Sequence, residues 1–60
     1  MNIKEVRERA KMTQTELAKE MGVSQGTISQ WENNKTIPDA LQMLKLSWVL
    51  RCEVGELYGA

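Results

Sequence analysis

The sequence predicts an all-α fold, a compact arrangement of five helices in which two are joined by a short turn. Three observations predict it. Apolar residues recur at three- and four-residue intervals along most of the chain, the period of a helix with one buried face. No run of four or more residues alternates apolar and polar between turn signals, as a half-buried strand would. The only proline is Pro38, so little interrupts helical segments on either side of it.

The first helix is expected from about Asn2 to Lys11. Ile3, Val6 and Ala10 give it an apolar face, and Asn2 is suited to cap its start. Thr13 followed three residues later by Glu16 is a capping-box pattern and opens the second helix. Leu17, Ala18 and Met21 form its inward face, and Gly22 ends it, where a positive φ is wanted. Val23 and Ser24 complete a tight turn, and Ser24 caps a third helix from Gln25 to about Asn33. Ile28 and Trp31 face inward there, and Asn33 or Asn34 stops it, since asparagine tolerates the left-handed region. After a loop at Lys35–Ile37, Pro38 suits the first turn of a fourth helix reaching about Leu50. A short fifth helix is expected over about Val54 to Tyr58, closed by Gly59.

Sixty residues correspond to one domain, residues 1–60, which buries only about 60% of the surface its unfolded chain exposes. Apolar residues at 42% and charged residues at 27% give a globular balance. No apolar run approaches the ~20 residues of a membrane span, and the first residues lack a signal peptide's apolar stretch. Cys52 is the only cysteine, so a reducing, cytoplasmic setting fits best. It is read as a small buried hydrophobe and not as a redox sensor. Enzymatic readings lose ground because histidine is absent, and one cysteine without histidine makes a zinc site a poor reading. No phosphate-binding glycine spacing occurs. No metal, cofactor or small-molecule ligand is therefore expected.

The stretch from Gln14 to Asn33 carries the most information. Two helices crossing steeply through a three- or four-residue turn need a small residue at the crossing and a residue free of Cβ strain in the turn. Ala18 and Gly22 supply these, and Leu17, Met21, Val23, Ile28 and Trp31 fall at anchoring positions. The remaining residues of the second of these helices, Gln25, Gly26, Thr27, Ser29 and Gln30, are polar or small and point outward. Such a surface suits the major groove of DNA.

Gln14 to Asn33 resembles the helix-turn-helix of the phage lambda-type repressor and Cro family, also called the XRE family. The resemblance extends to Arg7, seven residues before Gln14, and to Pro38 and the Leu44-to-Gly59 stretch. It implies a lambda-repressor-like fold and a sequence-specific regulator, a repressor, that binds double-stranded DNA as a weak homodimer strengthened on a two-fold operator. It further implies that Gln25, Gly26 and Gln30 occupy positions that touch base edges, with Thr27 and Ser29 on the same surface. Gln14 matches a residue that contacts a phosphate and braces the first reading side chain. Thr13, Ser24, Asn33 and Lys35 match phosphate-contacting positions, and Arg7 and Glu32 match a partly buried ion pair. The chain departs from the family at Gly26, which lacks a side chain where a reader often stands. It departs also at Asn34 and Arg51, where glycine is common, and at Glu53, where a Ser, Thr or Asp cap is usual.

Each of these residues also has a plainer reading. Gln25 and Gln30 read as solvated glutamines outside this motif; within it, glutamine is suited to the N6 and N7 edge of adenine. Arg7 and Glu32 could be separate surface charges. Trp31 and Met21 are core residues, and one aromatic on a helix is too sparse to stack single strands. In the fourth helix Ala40, Met43, Leu44, Ser47 and Leu50 make the inward face, and Leu41, Trp48 and Val49 lie outside it. That surplus either edges the core or, with Val54 and Tyr58, forms a subunit contact. The eight Lys and Arg balance eight Asp and Glu, so non-specific attraction to DNA should be weak. Two rivals keep the fold and change the role. One is an antitoxin or the DNA-binding piece of a longer regulator; the other is a protein-interaction module.

Overall fold

A computed structural model describes residues 1–59. They form α1 (Ile3–Arg9), α2 (Gln14–Met21), α3 (Gln25–Glu32), α4 (Ala40–Leu50) and α5 (Val54–Tyr58), with no strand among the described residues. This is the all-α, five-helix architecture that the sequence predicted. The helix α2 packs against α3 and α4, α5 against α4 and α1, and α1 also touches α3. Each helix contributes one fully buried aliphatic side chain to a shared centre: Ile3, Leu17, Ile28, Leu46 and Leu57. Val6, Ala18, Met21, Trp31, Met43 and Leu50 complete the core, and Val23, Val49, Cys52 and Val54 pack against it half-buried.

The helix starts follow the sequence at two of the expected caps. Thr13 Oγ1 accepts from the Glu16 N–H at 3.0 Å, and the Glu16 carboxylate accepts from the Thr13 N–H at 2.8 Å. Ser24 Oγ accepts from the Thr27 N–H at 3.1 Å. Asn2 does not cap α1 with its side chain. Its backbone is the structural element instead: its N–H donates to the Leu57 carbonyl at 2.8 Å, and its carbonyl accepts from the Val6 N–H. That bond ties the start of the chain to α5. Pro38 lies outside α4, buried, and Asp39 is the cap. The Asp39 carboxylate accepts from the Gln42 N–H at 2.8 Å while Gln42 Oε1 accepts from the Asp39 N–H at 2.9 Å. Pro38, at the position before the cap, contributes an apolar ring to the interior and no donor to satisfy.

The helix ends share one device. After α1, α2, α3 and α4 a residue adopts the left-handed conformation: Lys11 (φ 60°), Gly22 (φ 72°), Asn34 (φ 58°) and Arg51 (φ 55°). In each case the next residue's N–H reaches back five residues: Met12 to Arg7, Val23 to Ala18, Lys35 to Gln30 and Cys52 to Ser47. This is the Schellman closure, which satisfies carbonyls that the helix leaves unpaired. It ends α1 at Arg9, so the helix stops short of the expected Lys11 and leaves Ala10 exposed. Arg7 takes the inward position instead.

The inward face of α4 also differs from expectation. Met43, Leu46, Ser47 and Leu50 are buried, whereas Ala40 and Leu44 are exposed. With the helix starting at Ala40, the core stripe runs 43, 46, 47, 50, and Leu46 lies at its middle. Ser47 is accommodated because its hydroxyl donates to the Leu44 carbonyl at 2.6 Å. Cys52 is half-buried where full burial was expected, and burial, with the nearby Glu56 carboxylate, holds its thiol pKa above the usual value. Both effects disfavour the thiolate, the reactive form of the side chain.

Arg51 and Lys11 are the costlier of the left-handed positions, because neither glycine nor asparagine eases their strain. Arg51→Gly should stabilise the fold by about 1 kcal/mol, raising the melting temperature by about 4–8 °C for a domain of this size. Thermal denaturation followed by circular dichroism checks this; an unchanged midpoint would show that the left-handed Arg51 costs nothing.

Candidate nucleic-acid interface

The helices α2 and α3 enclose the three-residue turn Gly22–Ser24. The turn is short because α2 closes through the Gly22 conformation and α3 is capped at once by Ser24. Val23, between them, half-buries its side chain against the core. One face of α3 is thereby committed to Ile28 and Trp31 inside, and the other carries Gln25, Gly26 and Gln30, all exposed.

A buried carboxylate orders this surface. The Glu32 side chain is 3% exposed and accepts three hydrogen bonds. Arg7 Nε donates at 2.6 Å, Arg7 Nη2 at 3.2 Å and Gln14 Nε2 at 2.9 Å. Arg7 Nη1 donates to the Met12 carbonyl at 2.8 Å, which pins the α1–α2 turn to the same guanidinium. The ion pair anticipated from the sequence is therefore present, nearly buried and bidentate. The hydrogen bond to Glu32 raises the Arg7 pKa and outweighs the lowering effect of burial.

The carboxylate sets the orientation of two amides in turn. An ionised carboxylate only accepts, so Gln14 must direct its NH2 group toward Glu32. Its Oε1 then faces away and accepts from Gln25 Nε2 at 2.6 Å. Gln25 is left with its own Oε1 and one N–H pointing outward, one acceptor beside one donor. That pair matches the N6 donor and N7 acceptor of adenine. The polarity of the exposed amide is thus dictated from inside the fold, through residues 14 and 32.

The other residues singled out in the sequence fall into two groups. Gln30 and Lys35 are exposed; Gln30 Oε1 lies 3.5 Å from Thr36 Oγ1, at the long limit of a hydrogen bond. Thr27, Ser29 and Asn33 are occupied within the fold. The Thr27 hydroxyl sits 3.0 Å from Ser24 Oγ, and Asn33 Nδ2 donates to the Ser29 carbonyl at 2.9 Å and to Ser29 Oγ at 3.3 Å. At the start of α2 the capping box and the Thr13 carbonyl satisfy the N–H groups of Glu16 and Leu17. The Gln14 and Thr15 N–H groups have no partner in the helix and lie at its positive end, which suits an anion. Two contributors have no sequence signal: the Met12 carbonyl, because any residue supplies one, and Thr36.

Leu41 and Trp48 are 78% and 69% exposed, and Tyr58 57%. Val49 and Val54 belong instead to the half-buried margin of the core. Ile37, at 75%, adds an exposed apolar side chain not singled out from the sequence. Among the described residues no helix is long and apolar enough to cross a membrane, and no acidic, cysteine or histidine cluster could hold a metal.

Removing one partner of the Arg7–Glu32 pair strands a buried charge. Arg7→Met should cost about 3–5 kcal/mol, and pairing it with Glu32→Leu should recover much of that loss. A double-mutant cycle in urea measures the coupling, and strictly additive losses would mean that the two side chains do not interact.

A helix-turn-helix family model matches residues 3–57. Over 46 residues, 77% of this chain, the sequence is 44% identical to Repressor protein C2 of Salmonella phage P22. The chain spans only about a fifth, 21%, of that relative's length. No solved structure gives a significant match. With the five-helix fold, the Gly22 turn and the match across nearly all its length, this chain belongs to the helix-turn-helix family of the lambda-type repressor, or XRE, class.

Proposed function

We propose that the chain is a DNA-binding transcriptional regulator of the repressor type. It reads a two-fold operator through the major groove with α3, as a homodimer that forms chiefly on DNA in the cytoplasm of a phage-infected or bacterial host. The observation that carries this reading is the exposed Gln25 amide, held by Gln14 and Glu32 with an acceptor and a donor left free, the pair of groups that the adenine edge can take. The matched relative is a phage repressor, which favours the same role. Because that relative is much longer, the same reading accommodates a DNA-binding piece of a larger regulator.

In this reading Gln25 contacts a base edge, with Gln30, Thr27, Ser29 and Gly26 on the same surface. Thr13, Ser24, Asn33, Lys35 and the amide end of α2 at Gln14 hold the flanking phosphates. Arg7 is neutralised by Glu32, so Lys35 and the helix N-termini supply most of the attraction at this surface. Phosphate contacts made through N–H groups and hydroxyls release few counterions, and the affinity should depend less steeply on salt than that of a basic binder.

Selection from a pool of random duplexes tests the function and separates it from a protein-interaction module, which would enrich no sequence. On the enriched operator, Gln25→Ala should lose about 1–3 kcal/mol and relax the preference at one base pair per half-site. Lys35→Ala, in contrast, should weaken binding to all duplexes alike. Equal losses for Gln25→Ala on operator and random DNA would exclude it as a reader.

Two arguments support pairing. One α3 covers only a few base pairs, and two copies about 34 Å apart read two half-sites on one side of the duplex. The molecule is 25 Å in its longest dimension, so copies at that separation meet only at their flanks and the contact is small. The exposed Leu41, Trp48 and Tyr58 are the side chains best suited to it, with Val49 and Val54 behind them at the core margin. Trp48→Glu should abolish cooperative operator binding and leave the helical circular dichroism intact. Sedimentation showing one subunit per operator, with Trp48→Glu binding normally, would overturn the dimer.

A further inference from the structure

Gly26 lies at the second position of α3, and nothing in the fold requires a glycine there. Its backbone is not in the left-handed region, where glycines 22 and 59 lie. A Cβ built on it would meet only Ser24 Oγ, at 3.8 Å, an ordinary contact. Glycine in a helix is unfavourable for folding relative to alanine. The residue is thus tolerated against local stability, with no packing reason inside the molecule.

The outer surface of α3 supplies a reason. Residue 26 is a helical neighbour of Ser29 and Gln30, three and four positions on. The two long side chains of this surface are drawn to its flanks. Gln25 is bonded toward α2 through Gln14, and the Gln30 amide lies beside Thr36 in the loop that follows α3. Between them runs a bare strip made of Gly26 and the short side chain of Ser29. A hydroxyl on so short a stem reaches a base edge only when the helix axis lies deep in the groove.

We propose that Gly26 is a specificity determinant that acts by having no side chain. It lets α3 seat deeply enough in the major groove for the Ser29 hydroxyl, and the clamped Gln25 amide, to reach base edges. The proposal rests on the DNA-reading function above. It assigns Gly26 a role distinct from that of a reading side chain, since its contribution is closeness and not a hydrogen bond.

The test uses the operator enriched from random duplexes. Gly26→Ala and Gly26→Leu should both melt at or above the wild-type temperature, because the space around the position is open. Operator affinity should fall with side-chain size, by about tenfold for leucine, the scale of one lost base contact. Affinity for random duplexes should not change. Ser29→Ala should weaken operator binding by the wild type but add no further loss to Gly26→Leu, because the helix then stands too far out for residue 29 to reach. Wild-type operator affinity in Gly26→Leu, equal losses on operator and random DNA, or additive losses with Ser29→Ala would each overturn the proposal while leaving the DNA-reading function intact. A pool from which no duplex is enriched would instead bring down that function, and this proposal with it.

Discussion

The carboxylate of Glu32 is the constraint on which the outer surface depends. An ion buried to this degree is tolerated only if its charge is balanced and its lone pairs are used. Arg7 balances it from α1 and Gln14 takes a remaining lone pair from α2, while Glu32 itself ends α3. One side chain therefore joins three helices, and the Met12 carbonyl adds the turn between the first two through Arg7. Such a pair is not needed for stability as such, because apolar residues of similar volume can serve as well. Its particular contribution is direction. An acceptor-only group at the root of a chain of amides leaves each amide one way to face, and the last of them is exposed.

Directionality explains how a chain with zero net charge presents a reading surface. Attraction through an excess of lysine and arginine would be indifferent to sequence. Here Arg7, behind the outer face of α3, is paired with Glu32, and that face and its flanks carry amides, hydroxyls, helix N-termini and Lys35. Groups of that kind are weak individually and demand correct geometry. The price is rigidity, met by the shared core of five aliphatic side chains and by four helix ends closed in the same way. Lys11 and Arg51 accept left-handed backbone at those ends without the ease of glycine. The steric cost of such closures is about 1–2 kcal/mol each, which a small core offsets only when the neighbouring packing holds the turn in place.

What the sequence determined by itself were the features set by local chemistry. The capping box at Thr13 and Glu16, the Ser24 cap and the glycine turns at 22 and 59 each depend on a few adjacent residues, and all lie where the sequence placed them. The helical period located the core residues of α2 and α3 for the same reason. The Arg7–Glu32 pair was legible through a family resemblance and not from spacing, since 25 residues separate its members. Tertiary structure decided the rest. Which of Leu44 and Leu46 is buried depends on the rotation of α4 about its axis, and neighbouring helices fix that. Lys11 closes α1 in the left-handed region although it is neither glycine nor asparagine, so no local residue type announces that end. The Asn2 backbone, and not its side chain, ties the start of α1, because α5 returns the Leu57 carbonyl to it from the far end of the chain. Local rules fix where a helix starts and which way its turn bends; partners distant in sequence fix which face it hides and which groups it leaves outside.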